Sequence, residues 1–124
     1  MLIATWNVNS VRTRLSQIID WIKQVNPDIL CLQETKVIDQ DFPIKSFEEL
    51  GYKVIVYGQK AYNGVAIISK LQTENVNKGF SGELGDQCHI EKFADQKRLI
   101  SADINGIKII NVYVPNGSSL NSDK

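Results

Sequence analysis

The sequence is short of cysteine, of histidine and of net charge. Two cysteines, Cys31 and Cys88, are too few for a disulfide framework, and Cys31 lies in an apolar run that is typical of a small core residue. Cys88 precedes His89, the only histidine, but no second Cys-His pair exists in the sequence to complete a zinc site. These shortages argue against a disulfide-rich scaffold and against a zinc centre.

Long apolar runs are absent as well. The sequence has no signal peptide and no apolar span of about 18 residues, so we expect no membrane partner and a cytoplasmic location. Lys and Arg number 14 and so do Asp and Glu, which gives a formal net charge of zero. Without a basic run or stripe, electrostatics alone gives no sign of a nucleic-acid-binding protein. A bound metal ion can nevertheless supply positive charge locally.

The length and composition indicate at most one small domain. The chain has 124 residues, of which 43% are hydrophobic and 23% charged, as is ordinary for a globular protein. Residues 121–124 resemble the start of a helix, with capping residues and an early acid, but no helix follows. We therefore expect residues 1–124 to be the front part of something longer.

Alternating strand and helix patterns predict an α/β fold. Residues 2–6 and 28–32 have the pattern of buried strands. Between them, Ser10 is expected to cap a helix over 11–25 whose apolar residues fall on one face. This order predicts a right-handed parallel crossover. The patterns further predict a helix over 44–50, strands over 53–57 and 65–69, and a hairpin of 98–104 with 107–114, whereas residues 71–96 show no clear pattern.

Polar residues follow the predicted strands at the point where each strand ends. Residues 7–10 follow the first strand, residues 33–36 follow the second, and residues 113–117 end the hairpin. A parallel crossover brings the first two groups to the same end of the sheet, where open α/β folds hold ligands. One carboxylate there, Glu34, lies among neutral oxygen donors, which suits a hard divalent cation, Mg²⁺ first.

Four short motifs carry a resemblance to a known family. They are TWNVNSVR (5–12), LQETK (32–36), YNGVAI (62–67) and NVYVPNG (111–117). In this order they resemble the front half of the exonuclease III-type abasic-site (AP) endonucleases, in the endonuclease/exonuclease/phosphatase superfamily. The resemblance implies an α/β (α+β) fold: part of a four-layer α/β-sandwich of mixed β-sheets flanked by helices, incomplete in this chain. Residues 1–124 would be the N-terminal portion of a single such domain.

The resemblance also implies roles for individual residues. Glu34 would be the main ligand of Mg²⁺, with Mn²⁺ as an alternative. Asn7 would lie beside the metal and the scissile phosphate, as a metal-binding and catalytic residue, and Tyr113 would place its catalytic hydroxyl near the phosphate. The residues expected to contact the DNA backbone are Arg98, Asn116 and Lys36.

The implied activity is that of a Mg²⁺-dependent DNA repair nuclease. It would hydrolyse the phosphodiester 5′ to abasic sites and at 3′ ends of double-stranded DNA, as a monomer when full length. The family's later catalytic groups, an Asp-x-Asn pair, a further Asp and a terminal Asp-His pair, have no counterpart here. The missing C-terminal half would therefore be required, and we expect the 124 residues alone to be inactive.

Two alternatives remain open at this point. The chain is compatible with a non-catalytic or split-enzyme module that binds DNA or a partner. It is also compatible with another phosphodiesterase or phosphatase of the same superfamily.

Overall fold

The strand–helix–strand unit at the start of the chain forms as the sequence predicts. The computed structural model describes residues 1–79 and 98–114, so Cys88, His89 and Asn116 lie outside the described residues. The helices are α1 (Leu15–Val25) and α2 (Ile44–Glu48), and a single 3-10 turn covers Asp39–Asp41. The strands are β1 (Ile3–Asn7), β2 (Ile29–Gln33), β3 (Lys53–Tyr57), β4 (Val65–Ser69), β5 (Thr73–Lys78), β6 (Leu99–Ile104) and β7 (Ile107–Val112).

The strands form two sheets. The first has the order β1-β2-β4-β3, in which β1 and β2 are parallel and the other pairs are antiparallel. The second has the order β5-β6-β7 and is antiparallel throughout. The first sheet is therefore mixed, and the parallel crossover through α1 is confirmed.

The first sheet is covered on both faces, which explains why its central strands are almost wholly apolar. On one face, Leu30 and Leu32 of β2 join a core cluster with residues of both helices. On the other face, Ile29 and Cys31 pack with residues of the second sheet. Helices, first sheet and second sheet thus form three successive layers. The fold class predicted from the sequence, an incomplete α/β-sandwich with mixed sheets, is confirmed.

Two local expectations are corrected by the structure. The helix predicted from residue 11 begins at Leu15, and its N-cap residue is Arg14 without a side-chain cap. Ser10 instead caps a turn, because its hydroxyl accepts the Thr13 N–H at 3.3 Å. Strand β5, which the pattern of residues 71–96 did not reveal, pairs with β6 through a register irregularity between Glu74 and Asn77. Neither helix in the described parts of the chain is long and apolar enough to cross a membrane.

Candidate active site

Three loops meet at one end of the first sheet. They follow β1, follow β2 and precede β4. Backbone hydrogen bonds join them: the Ser10 N–H donates to the Glu34 carbonyl at 2.8 Å, and the Lys36 N–H donates to the Asn63 carbonyl at 2.9 Å. Residues 7–10 and 33–36, which the sequence placed at one end of the sheet, therefore lie together and adjoin the loop that precedes β4.

Left-handed backbone is concentrated in these three loops. A positive φ costs a residue with a side chain about 1 kcal/mol or more and persists only where the surrounding structure enforces it. Such residues cluster at functional sites. The non-glycine residues with positive φ in these loops are Asn9, Ser10, Glu34, Lys36, Ala61 and Asn63.

The left-handed conformation of Glu34 directs its side chain toward the second sheet. Successive residues of a strand point to opposite faces, and Gln33 already points toward β7, where its amide meets Asn111. Glu34, at φ 55°, breaks that alternation. Its Oε1 accepts a hydrogen bond from the Tyr113 hydroxyl at 2.5 Å, so the ends of two sheets meet at this contact.

Tyr113 is held as a neutral hydrogen-bond donor. Burial first, and then the hydrogen bond to Glu34 and its negative charge, raise the pKa of Tyr113 to about 12. The nearby charge of Arg98 acts in the opposite direction. The phenol therefore keeps its proton at neutral pH.

Asn7 is the last residue of β1 and lies at the same end of the first sheet as Glu34; its role at the metal and the phosphate stays a prediction. It is in register with Gln33 across the parallel strands, and Gln33 directly precedes Glu34. Its Oδ1 accepts the Asn9 N–H at 3.2 Å. Within residues 1–79 and 98–114 its Nδ2 makes no hydrogen bond, which leaves two N–H donors for a ligand.

Two cationic side chains border the same surface. Lys36 Nζ donates to Asn9 Oδ1 at 2.5 Å. Arg98 is 7% exposed, and its Nε donates to Asn63 Oδ1 at 3.2 Å. Lys36 lies in the loop after β2, and Arg98 directly precedes β6; their contact with DNA stays a prediction.

The donor set fits a divalent cation that keeps part of its coordination sphere open. Glu34 Oε2 makes no hydrogen bond or ion pair with any residue that the structure describes. The described residues contain no group of three or more His, Cys, Asp or Glu that could hold a metal ion. Magnesium commonly binds through one or two carboxylates, with waters and substrate phosphate completing its shell. Glu34, with Asn7 beside it, is therefore compatible with such an ion.

A family match accounts for this arrangement. Residues 4–109 match the sequence model of the Endonuclease/Exonuclease/phosphatase family. The chain belongs to this family. The match includes Asn7, Glu34, Lys36 and Arg98, and it ends four residues before Tyr113.

Individual family members are similar over nearly the whole chain. Exodeoxyribonuclease III of Haemophilus influenzae is 36% identical over 96% of this chain. The solved AP endonuclease of Archaeoglobus fulgidus is 47% identical over 99% of the chain, with a TM-score of 0.85. A 3′ phosphatase of Neisseria, solved with a product DNA hairpin, is 40% identical over 99% of the chain, also with a TM-score of 0.85.

These family members are more than twice as long as the matched chain. The match spans 43% of exodeoxyribonuclease III and 45% of each of the two solved chains. The resemblance that the four motifs indicated, to the N-terminal part of exonuclease III-type endonucleases, is confirmed.

Four amide residues with a part in this site were not singled out by sequence reasoning. Asn9 and Asn63 appear in the sequence as ordinary turn formers, yet they receive hydrogen bonds from Lys36 and Arg98. The signal for them is an Asn in a loop that also carries site residues. The signal for the other two is an amide at an inward position of an apolar strand: Gln33 and Asn111.

Proposed function

We propose that this chain supplies the metal-binding carboxylate and the phosphate-contacting side chains of a divalent-metal-dependent DNA repair nuclease. The whole enzyme hydrolyses the phosphodiester 5′ to abasic sites and at 3′ ends of double-stranded DNA, with Mg²⁺ as the favoured ion and Mn²⁺ as an alternative. The single observation that carries the proposal is the hydrogen bond from the Tyr113 hydroxyl to Glu34 Oε1. It brings the acid of one motif and the phenol of another to one point, 79 residues apart in the chain.

Each side chain has a distinct task in this reaction. Glu34 holds the divalent ion, which when bound supplies positive charge to the phosphoryl and leaving oxygens. Asn7 donates an amide N–H to a phosphate oxygen or orients a water. Tyr113 keeps its proton at neutral pH and donates it to Glu34 in the structure; with substrate bound, the hydroxyl is proposed to donate to a phosphate oxygen instead.

The DNA backbone is held by charge at the edge of the site. Lys36 and Arg98 lie in or against the loops that surround Glu34. Asn116, which is outside the described residues, is proposed to contact the backbone as well. Because these side chains approach phosphates rather than base edges, they position DNA without reading its sequence.

The 124 residues alone are proposed to be inactive. The groups that the family uses to activate water, its later Asp and His residues, have no counterpart in this sequence. General-base activation of water is worth about 10²–10⁴-fold in rate. The missing C-terminal half is therefore a required partner, and the full-length enzyme is proposed to act as a monomer.

A chimeric enzyme tests the proposal directly. Residues 1–124 replace the matching part of the Archaeoglobus fulgidus AP endonuclease, to which they are 47% identical. The chimera is expected to nick a duplex 5′ to a single abasic site in the presence of Mg²⁺, whereas the 124-residue chain is not. In the chimera, Glu34→Gln should lower the rate at least about 10³-fold, because the metal contributes several kcal/mol of charge stabilisation.

Glu49→Gln is the matched control. Glu49 is an exposed acid at the end of α2, so its substitution should leave the rate unchanged. A Glu34→Gln chimera that cleaves as fast as the Glu49→Gln chimera would rule out the metal-binding role. Robust cleavage by the 124-residue chain itself would contradict its proposed inactivity.

A further inference from the structure

A buried amide links the two sheets beside the candidate active site. Asn111 of β7 is 3% exposed in a strand whose other inward residue is Ile109. Its Nδ2 donates to the carbonyl oxygens of Leu32 at 2.9 Å and of Ala66 at 2.8 Å. These two residues are register partners in β2 and β4. One side chain of the second sheet therefore binds the backbone of two strands of the first.

The link continues through Gln33. Gln33 Nε2 donates to Asn111 Oδ1 at 2.8 Å and to Thr5 Oγ1 at 2.7 Å. The hydrogen bond onto Oδ1 fixes the orientation of the Asn111 amide, so that its N–H groups face the two carbonyls. The network therefore connects four strands, β1, β2, β4 and β7, which belong to both sheets.

This network defines a register that apolar packing does not. The second sheet packs on the first largely through aliphatic side chains such as Ile29, Ile67 and Ile100. Such contacts are non-directional and tolerate sliding. Sliding of β7 would instead leave buried carbonyl oxygens and a buried amide without partners, which is costly.

The network adjoins the Tyr113–Glu34 contact on both strands. Asn111 lies two residues before Tyr113 in extended chain, so their side chains point to the same face of the second sheet. Gln33 directly precedes Glu34. We propose that Asn111 and Gln33 are positioning residues, which set β7 against β2 so that the Tyr113 hydroxyl reaches the Glu34 carboxylate. The relevance of this positioning to phosphodiester hydrolysis rests on the proposed function; the positioning itself does not.

A double-mutant cycle measures the contact that the network is inferred to position. Tyr113→Phe and Glu34→Ala are made singly and together in the 124-residue chain, and urea unfolding is followed at low micromolar concentration. In the parent, we expect the two changes to be coupled by about fivefold in the unfolding equilibrium constant. In an Asn111→Leu background the coupling should fall to about one, because the hydroxyl and carboxylate no longer meet.

Ile109→Ala provides the control for general loosening of β7. Ile109 is on the same face of the strand and packs in the core between the sheets. Its truncation should lower stability while leaving the roughly fivefold coupling intact. Loss of the coupling in both backgrounds would overturn the proposal, as would its persistence in Asn111→Leu or its absence from the parent.

Gln33→Leu keeps the proposal testable if the Asn111 variant does not fold. This change removes the hydrogen bond that orients the Asn111 amide, together with the Gln33 bonds to Thr5 and to the Cys31 carbonyl. It leaves both Asn111 bonds to the first sheet in place and should reduce the coupling to about twofold. Undiminished coupling in Gln33→Leu would then overturn the proposal. Because no nuclease activity is measured, a failure here is distinct from a failure of the proposed function, which the chimera reveals.

Discussion

At the scale of single residues, the backbone of Glu34 decides what the site can do. In a continued β2 its side chain would point toward the helices, since Gln33 points toward the second sheet. A left-handed φ of 55° ends the strand and turns the carboxylate toward Tyr113. Glycine adopts this φ without strain but carries no carboxylate. The proposed metal-binding role of the carboxylate would account for a side-chain-bearing residue at this strained position.

This strain has a measurable signature. We expect Glu34→Gly to be more stable than Glu34→Ala by about 1 kcal/mol, because alanine is penalised at positive φ and glycine is not. At Asp20, an exposed position within α1, the order should reverse, with alanine about 1 kcal/mol more stable than glycine. Urea unfolding of the four variants provides the comparison. Equal stability of the two variants at position 34 would contradict a strained backbone there.

The Cys31 thiol gives the stability a dependence on alkaline pH. Burial raises the pKa of Cys31 from 9.0 to about 11. A group whose folded pKa is raised contributes fully below the unfolded pKa and loses its contribution as pH rises through the folded value. The free energy of unfolding should therefore fall between pH 9 and 11, by at most about 3 kcal/mol for this thiol at about 1.4 kcal/mol per pKa unit.

Cys31→Ala isolates that contribution. Tyr52 and Tyr113, whose pKa values are also raised, titrate in both proteins, so the difference between the two unfolding curves reports Cys31 alone. Urea unfolding from pH 8 to 11 should show a shallower decline for Cys31→Ala. Parallel declines in the two proteins would show that the thiol does not resist ionisation.

At the scale of elements, the loop that precedes β4 packs so closely against the loop after β2 that no side chain fits between them at Gly64. Gly64 has a φ of 95°, and a Cβ added there would lie 2.1 Å from Thr35 Oγ1 and 3.2 Å from Lys36 N. Thr35 is only 1% exposed and cannot move aside freely. Its N–H also donates to the Gly64 carbonyl at 3.2 Å. This close contact holds the loop that contains Glu34 against the start of β4.

We expect Gly64→Ala to destabilise the chain by about 2–4 kcal/mol, from positive φ and overpacking together. Gly51→Ala is the control, since Gly51 has a similar φ of 90° but nothing lies within 4 Å of an added Cβ. It should cost only about 1 kcal/mol. Urea unfolding measures the free energy of unfolding of both variants. If both lose the same amount, the close contact with Thr35 does not contribute to the cost of Gly64→Ala.

The sequence predicts elements well where apolar runs are continuous. Strands β2, β3 and β4 lie within one residue of expectation, because their residues are apolar on both faces or regularly alternate. Strand β5 is missed because it is largely exposed and polar, with a single neighbour in the sheet. Helix α1 starts late because the segment after β1 bonds to the Glu34 loop instead of forming helical turns.

The candidate site is predictable in part for a related reason. Asn7 ends β1 and Glu34 follows β2, which is parallel to it, so their placement at one end of the sheet follows from local order alone. The role of Asn111 depends on how β7 is set against β2, across 78 residues of chain. No local pattern encodes that register, and only the structure shows it.

At the scale of the molecule, an edge strand of each sheet borders an open groove. In the described part of the chain, β1 is an edge strand of the first sheet and β7 is an edge strand of the second. Between them lies a groove of about 440 Å³ whose lining includes Ile3, Ile110 and Val112. These three side chains are 44%, 51% and 41% exposed. Unpaired strand edges with apolar side chains favour association with another chain.

We therefore expect the 124-residue chain to self-associate as its concentration rises, and Ile110→Lys to weaken that association at least about tenfold. A lysine at an edge strand places a charge where a second chain would have to bury it. Val25→Lys, at an exposed apolar position on α1 away from the groove, should leave association unchanged. Sedimentation equilibrium over a hundredfold concentration range gives the association constant of the parent chain and of each lysine variant. A chain that stays monomeric throughout, or equal association constants for the two lysine variants, would show that the groove between β1 and β7 drives no contact.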